Sequence, residues 1–180
     1  ELARRRLAFE EVLTLQLAAQ KNKEFIQKLT SPKIEFNLKT TKEIIASLKF
    51  KLTDDQRASA WQILQDLEQD LPMNRMLMGD VGSGKTVVAA LAALQAIKAG
   101  SQVSILAPTE VLARQHFKSF TELLKPSGAQ VKLLVGSIKP KDKREILAEI
   151  EEGKAELIVG THALIQERVK FKDLALVIVD

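Results

Sequence analysis

The stretch Gly79-Asp80-Val81-Gly82-Ser83-Gly84-Lys85-Thr86 has residue types and a spacing suited to one chemistry, the holding of a polyphosphate. Gly79-x-x-x-x-Gly84-Lys85-Thr86 has the form of a phosphate-binding loop, and it stands after an apolar run and before an Ala-rich one. Gly79, Gly82 and Gly84 permit backbone angles and a close approach that a Cβ blocks. The amides of the loop, Asp80, Val81 and Ser83 included, and the start of the following helix then make a concave anion site backed by the helix dipole. Lys85 brings a point charge for the β- and γ-phosphates, and Thr86 offers a hydroxyl to Mg²⁺. The expected ligand is a nucleoside triphosphate with Mg²⁺. A chance Gly-rich turn produces this pattern in roughly one chain in a hundred of this size, and the strand-before, helix-after setting makes chance rarer still.

The elements that must position this loop follow from hydrophobic spacing. From Arg75 onward short apolar runs alternate with amphipathic stretches, which predicts strands over 75–79, 102–107, 131–135, 156–160 and 174–179 and helices over 85–98, 110–124 and 141–152. Runs such as Leu174-Ala175-Leu176-Val177-Ile178-Val179 lack clean alternation, as strands covered on both faces do. Strand–helix alternation of this kind gives a parallel, doubly wound sheet whose ligands sit at the strand carboxyl ends.

Upstream, residues 2–29 read as one long helix with Ala8, Val12, Leu15, Ala19, Ile26 and Leu29 on one face, stopped by Thr30-Ser31-Pro32. Residues 33–39 read as extended. Thr40-x-x-Glu43 has the form of a capping box for a helix over 41–48, and a further helix runs from Thr53 to about Asp70. The boundary between a helical appendage (1–50) and the α/β domain (51–180) falls near residue 50.

Composition excludes several classes. The chain has no Cys and two His, so disulfides, thiolate metal sites and a zinc site built from His alone are out. No run approaches the ~20 apolar residues of a membrane span, and the first residues lack the form of a signal peptide. A cytoplasmic monomer is the expectation. Residues 1–50 carry ten Lys/Arg against six Asp/Glu and the remainder carries seventeen of each, so the whole excess of +4 lies in the appendage. That is compatible with contact to a polyanion and equally with a solvated helix face.

Four further segments stand at strand ends or just before the loop: Leu52-Thr53-Asp54-Asp55-Gln56, Ala107-Pro108-Thr109-Glu110-Val111-Leu112-Ala113-Arg114-Gln115-His116, Val159-Gly160-Thr161-His162-Ala163-Leu164-Ile165-Gln166 and Val177-Ile178-Val179-Asp180. In this order, with the phosphate loop, they resemble the first half of a superfamily-2 helicase, and the resemblance covers nearly the whole chain. The motor of the transcription-repair coupling factor shares much of the framework but typically has an aromatic residue where Ser83 stands and Thr where Glu110 stands. The run Arg4-Arg5-Arg6-Leu7-Ala8-Phe9-Glu10-Glu11 resembles the helix that joins a DNA-binding wedge domain to the motor in DNA-remodelling members.

The resemblance implies an α/β P-loop RecA-like fold and an ATP-dependent DNA helicase, acting on branched duplex DNA such as forks and recombination intermediates. It makes Gln56 the reader of the adenine edge, although Thr53-x-x-Gln56 is equally a capping box. Phe50 either stacks on adenine or packs between appendage and domain, packing being favoured. Pro108, Thr109 and Glu110, with Gly160, Thr161 and His162, become contacts to the DNA backbone, and Gly136 and Ser137 a third set; Thr109 alternatively only caps a helix. Asp180 becomes the Mg²⁺-site carboxylate, the competing reading being a polar residue that ends a buried strand. With Lys85 it is the expected catalytic pair. In this family a following Glu positions the attacking water and a second RecA-like domain supplies an arginine finger. The expectation for residues 1–180 alone is therefore weak nucleotide binding with little hydrolysis. A P-loop ATPase that does not act on nucleic acid is the alternative from the loop alone.

Overall fold

The computed structural model describes residues 1–26, 28–48 and 50–180. Helices α1 (Leu2–Ile26), α2 (Leu38–Ser47) and α3 (Asp54–Leu67) precede the phosphate loop and α4 (Lys85–Lys98) follows it. Then come β1 (Gln102–Leu106), α5 (Glu110–Leu124), β2 (Val131–Leu134), α6 (Pro140–Glu151), β3 (Leu157–Gly160) and β4 (Leu174–Val179). The four strands form one sheet in the order β2-β3-β1-β4, every neighbouring pair parallel. This is the α/β arrangement expected from the alternation of apolar runs, and the helices 85–98 and 110–124 fall where spacing placed them.

Two cores cover the two faces of the sheet. Val103, Ile105, Leu157, Val159 and Leu176 pack with α3, α4 and Phe120 of α5. Leu134, Ile158, Ala163 and Leu164 pack with Ile150 of α6 on the other face. The alternation of side chains along a strand divides them in this way. On the α6 side the cover stops short of β4, whose Val177 and Val179 stay exposed.

Residues 75–79, expected as a strand, have no strand partner among the described residues. β4 is the sheet edge, and Met76 and Met78 lie exposed while Leu77 packs against the core. An apolar run becomes a strand only when a neighbour accepts its backbone hydrogen bonds, and none of the four strands does so here.

The short second helix begins three residues before the expected start. Asn37, not Thr40, is its N-cap, its side chain accepting from Thr40 N at 3.1 Å. The cause is tertiary: buried Gln95 of α4 accepts from Asn37 N (2.9 Å) and donates to Asn37 O (3.2 Å) and Thr41 Oγ1 (2.8 Å), fixing the chain where the helix opens. The segment before it, expected as extended, forms no strand. It docks instead through buried Ile34, whose N donates to Leu67 O (2.9 Å), and through Phe36, edge-on to Trp61 with centroids 5.2 Å apart. Ile34 and Phe36 thus join the core of the α/β unit. By contrast α1 buries no residue, and most of its apolar side chains, Val12 and Leu15 among them, are exposed. Among the described residues no helix is long and apolar enough to cross a membrane.

The orientation of α4 places the phosphate loop. Its last turn leads through Ser101, whose Oγ donates to Asp173 Oδ2 at 2.8 Å beside the start of β4, into the amino end of β1. At 1.5 Å per residue a 14-residue helix packed against β1 and β4 extends about 21 Å from there, so its first residue lies toward the carboxyl edge of the strands.

Candidate nucleotide and nucleic-acid site

Gly84 is the N-cap of α4 with φ +86°, and Gly82 has φ +82°, the left-handed region in which a side chain is strained. No side chain caps α4, in contrast to α3 and α5, which Thr53 and Thr109 cap. The Lys85 and Thr86 amides are therefore left for an anion, while Val87 N already donates to Gly84 O at 3.0 Å. A Cβ on Gly79 would stand 2.6 Å from Ser83 Oγ, so the Ser83 hydroxyl keeps its present position only with glycine there. Lys85 Nζ donates to the carbonyls of Gly79 (2.6 Å) and Asp80 (3.0 Å), which hold the ammonium at the loop. Residues 79–83 are exposed and Gly84, Lys85 and Thr86 half-buried. An exposed loop with one cation held beside the uncapped start of a helix suits a polyphosphate.

Gln56 serves two structures at once. Its Oε1 accepts from Thr53 N (3.0 Å) and its N donates to Thr53 Oγ1 (3.2 Å), completing a capping box. Its Nε2 donates to Ser83 O at 2.8 Å, inside the phosphate loop. Beside it a cavity of about 320 Å³ is lined by Ile45, Leu48, Phe50, Lys51, Leu52 and Arg57. Phe50, expected to pack, is half exposed at the rim of this cavity. An aromatic face and an Arg at its mouth suit a flat heteroaromatic ring.

The strand register gathers the other expected contacts. Leu134, Gly160, Leu106 and Val179 stand in one row across β2, β3, β1 and β4. With strands about 4.8 Å apart, the residues just beyond that row (Gly136 and Ser137, Thr161 and His162, Pro108 and Thr109, and Asp180) share one edge about 15 Å wide. Gly160 is closely constrained, because a Cβ there would overlap Leu134 O and the Leu164 side chain. Thr161 opens the 3₁₀ turn His162–Ile165 with no side-chain cap bond, whereas Thr109 Oγ1 accepts from Leu112 N at 3.3 Å. His162 is exposed.

Glu110 and Ser137 face each other across this edge. Ser137 donates from its N (3.1 Å) and its Oγ (2.6 Å) to the two Glu110 carboxylate oxygens, and Arg114 donates to Ser137 Oγ at 2.9 Å. The Ser137 hydroxyl bond, helped by the Ser137 and Gly136 amides and by Arg114, holds the Glu110 carboxyl below its usual range. The pair fastens the start of α5 to the loop after β2, and Gly136 gives it room, since a Cβ there would meet Glu110 Oε1 at 3.2 Å.

Asp180 follows β4 and is held by its N, which donates to Leu106 O at 3.0 Å. Its carboxylate pairs through Oδ2 with His116 Nε2 at 2.8 Å. Nothing local in the sequence marks His116, because only the β1–β4 pairing brings position 180 beside α5. Among the described residues no three His, Cys, Asp or Glu side chains cluster as a metal cage. Mg²⁺ seldom needs one: it is commonly held by one or two protein oxygens together with water and phosphate, and an all-oxygen donor set of Thr86 and Asp180 fits that habit.

A parallel α/β sheet with a phosphate loop ahead of its first crossover, and polar loops gathered on the strand carboxyl edge, has the form of a P-loop nucleoside-triphosphate-binding domain. The family model for DEAD/DEAH box helicases matches residues 53–180, and the chain belongs to that family. Its similar relatives are proteins called ATP-dependent DNA helicase RecG, from Aquifex aeolicus (46% identical over all of this chain), Haemophilus influenzae (46%, over 99%) and Thermotoga maritima (44%, over all of it). The chain spans 23% of the first and third of these and 26% of the second. Among solved structures, one described as RecG bound to a three-way DNA junction aligns with a TM-score of 0.89 at 44% identity, over 97% of this chain and 24% of that one. A hypothetical ATP-dependent RNA helicase from Sulfolobus tokodaii, at a TM-score of 0.53 and 21% identity over 69% of this chain and 34% of that one, shares the fold.

Proposed function

We propose that this chain is the ATP-binding half of a DNA helicase motor that couples ATP hydrolysis to movement on branched DNA. The observation that carries the reading is the shared carboxyl edge, toward which the phosphate loop and all three expected DNA segments converge. The relatives named as RecG helicases and the solved complex with a three-way junction support branched DNA as the substrate. A second RecA-like domain and a wedge domain of the same protein are the proposed intramolecular partners, since the relatives are about four times as long as the match.

In this reading Lys85 and the amides opening α4 hold the β- and γ-phosphates, and Gly79, Gly82 and Gly84 let the loop reach them. Gln56 positions the loop and Phe50 with Arg57 receives the base. Thr86 and Asp180 would hold Mg²⁺, which when bound supplies charge neutralisation on the phosphate oxygens. Thr109, Gly160, Thr161 and His162 face the DNA backbone through hydroxyls, amides and the imidazole, with Pro108 beside them, while Glu110 and Ser137 shape the edge.

Binding of a fluorescent three-way junction, measured by anisotropy across a salt series, tests the DNA half of the proposal. The expected result is salt-sensitive binding that Thr109→Ala with Thr161→Ala weakens by about tenfold, two lost hydrogen bonds of roughly 0.5–1.5 kcal/mol each, while nucleotide binding is kept. Unchanged junction binding in the double variant contradicts the assignment.

A further inference from the structure

His116 is half-buried on α5, with a side-chain exposure of 15%, and its ring stands edge-on to buried Phe120 at 6.3 Å between centroids. Its Nε2 lies 2.8 Å from Asp180 Oδ2. Six residues earlier the same helix opens at Glu110, fastened to Ser137, directly after Thr109. At 1.5 Å per residue the two points are about 9 Å apart on one rigid element. No loop intervenes between the end of α5 that faces the proposed DNA edge and the ring that holds the proposed Mg²⁺ carboxylate.

We infer that His116 is a positioning residue that ties α5 to the Asp180 carboxylate, so that DNA at the start of α5 and Mg·nucleotide at Asp180 sense each other. The inference rests on the function proposed above. Its physical content is twofold. The His116 bond fixes the rotamer of Asp180 through one oxygen and leaves Oδ1 free of that bond, as a partner of a metal-ligating carboxylate does. A shift of α5 along or about its axis, driven from Thr109 and Glu110, displaces Nε2 and with it the carboxylate. Because linkage is reciprocal, nucleotide must then alter DNA affinity by the same factor as DNA alters nucleotide affinity.

The test is a set of binding titrations on this chain, with a fluorescent ATPγS analogue in Mg²⁺ or in EDTA, and with or without a three-way junction. Wild type, His116→Ala and His116→Gln are compared; the Gln amide restores a nitrogen donor at similar reach. For His116→Ala the expected result is unchanged nucleotide affinity in EDTA and unchanged junction affinity without nucleotide. The gain in affinity that Mg²⁺ brings falls about tenfold, the usual loss on removing a partner of a metal-ligating group, and the dependence on junction disappears. His116→Gln keeps most of both. Native binding in EDTA shows that the Ala variant is folded. An Ala variant with the wild-type Mg²⁺ gain and junction dependence overturns the inference, as does a Gln variant as defective as Ala in both. Failure of wild type to bind nucleotide at all contradicts the functional reading itself, a result distinct from either.

Discussion

Gln56 Nε2 donates to the carbonyl of Ser83 at 2.8 Å, so the side chain that closes the N-terminal cap of α3 also fastens the phosphate loop. The two roles use different atoms, Oε1 and the backbone N for the cap and Nε2 for the loop. The cap of α3 and the phosphate loop, two separate features of the sequence, are thus joined through one side chain. The same residue thus links the loop to α3, whose Arg57 lines the cavity shared with Phe50.

Two substitutions separate those roles. Gln56→Ala removes both; losing the side-chain half of the cap costs about 1 kcal/mol, a fall of roughly 3 °C in Tm for a chain of this size, and nucleotide affinity drops with it. Gln56→Glu keeps an acceptor for Thr53 N but has no donor for Ser83 O. Its expected Tm is near that of wild type while nucleotide affinity falls as far as in the Ala variant. Thermal melts paired with nucleotide titrations check this, and equal Tm losses in the two variants would count against it.

Gly84 and Gly82 make a second comparison. Both hold positive φ, so Ala at either position costs about 1–2 kcal/mol of backbone strain. A Cβ on Gly84 also runs into the Gln56 side-chain amide, whereas one on Gly82 meets nothing within 4 Å. Gly84→Ala is expected to lower Tm more than Gly82→Ala and to abolish the Gln56–Ser83 bond. Urea denaturation and nucleotide titration of both variants measure the difference.

The Glu110–Ser137 link carries a pH signature. Its folded carboxyl lies below the ordinary value, chiefly because the Ser137 hydroxyl donates to it. A depressed carboxyl contributes stability that is present above the unfolded pKa and is lost as pH falls through the folded one. The link between α5 and the loop after β2 is thus intact at neutral pH and loosens only below the ordinary carboxylate range. Ser137→Ala is expected to move the Glu110 titration upward toward that range, as followed by carboxyl-carbon NMR. A titration that does not move contradicts the hydrogen-bond origin.

Much of this was legible in the residues. Helices 85–98 and 110–124 declare themselves by apolar spacing and by Thr109 as a cap, and the strand ends by apolar runs that stop at Thr, Gly or Asp. Strand status at 75–79 was not legible, because it depends on a ladder partner and not on the run itself. The Asn37 cap was hidden because Gln95, 58 residues away, selects it over Thr40. His116 carried no local signal: its partner arrives through the parallel pairing of β1 with β4. Each miss is a position whose structure is set by a contact distant in sequence.

The most direct test of the account is the affinity of Mg·ATPγS for wild type and for Lys85→Ala, measured by titration at one ionic strength with a thermal melt of each. Saturable binding by wild type is expected, weakened at least tenfold in the variant by loss of a charged hydrogen-bond donor worth about 1.5–3 kcal/mol, with Tm close to that of wild type because Lys85 contacts only loop carbonyls through Nζ. Equal affinities, or no saturable binding by wild type, would contradict a nucleotide site built on this loop.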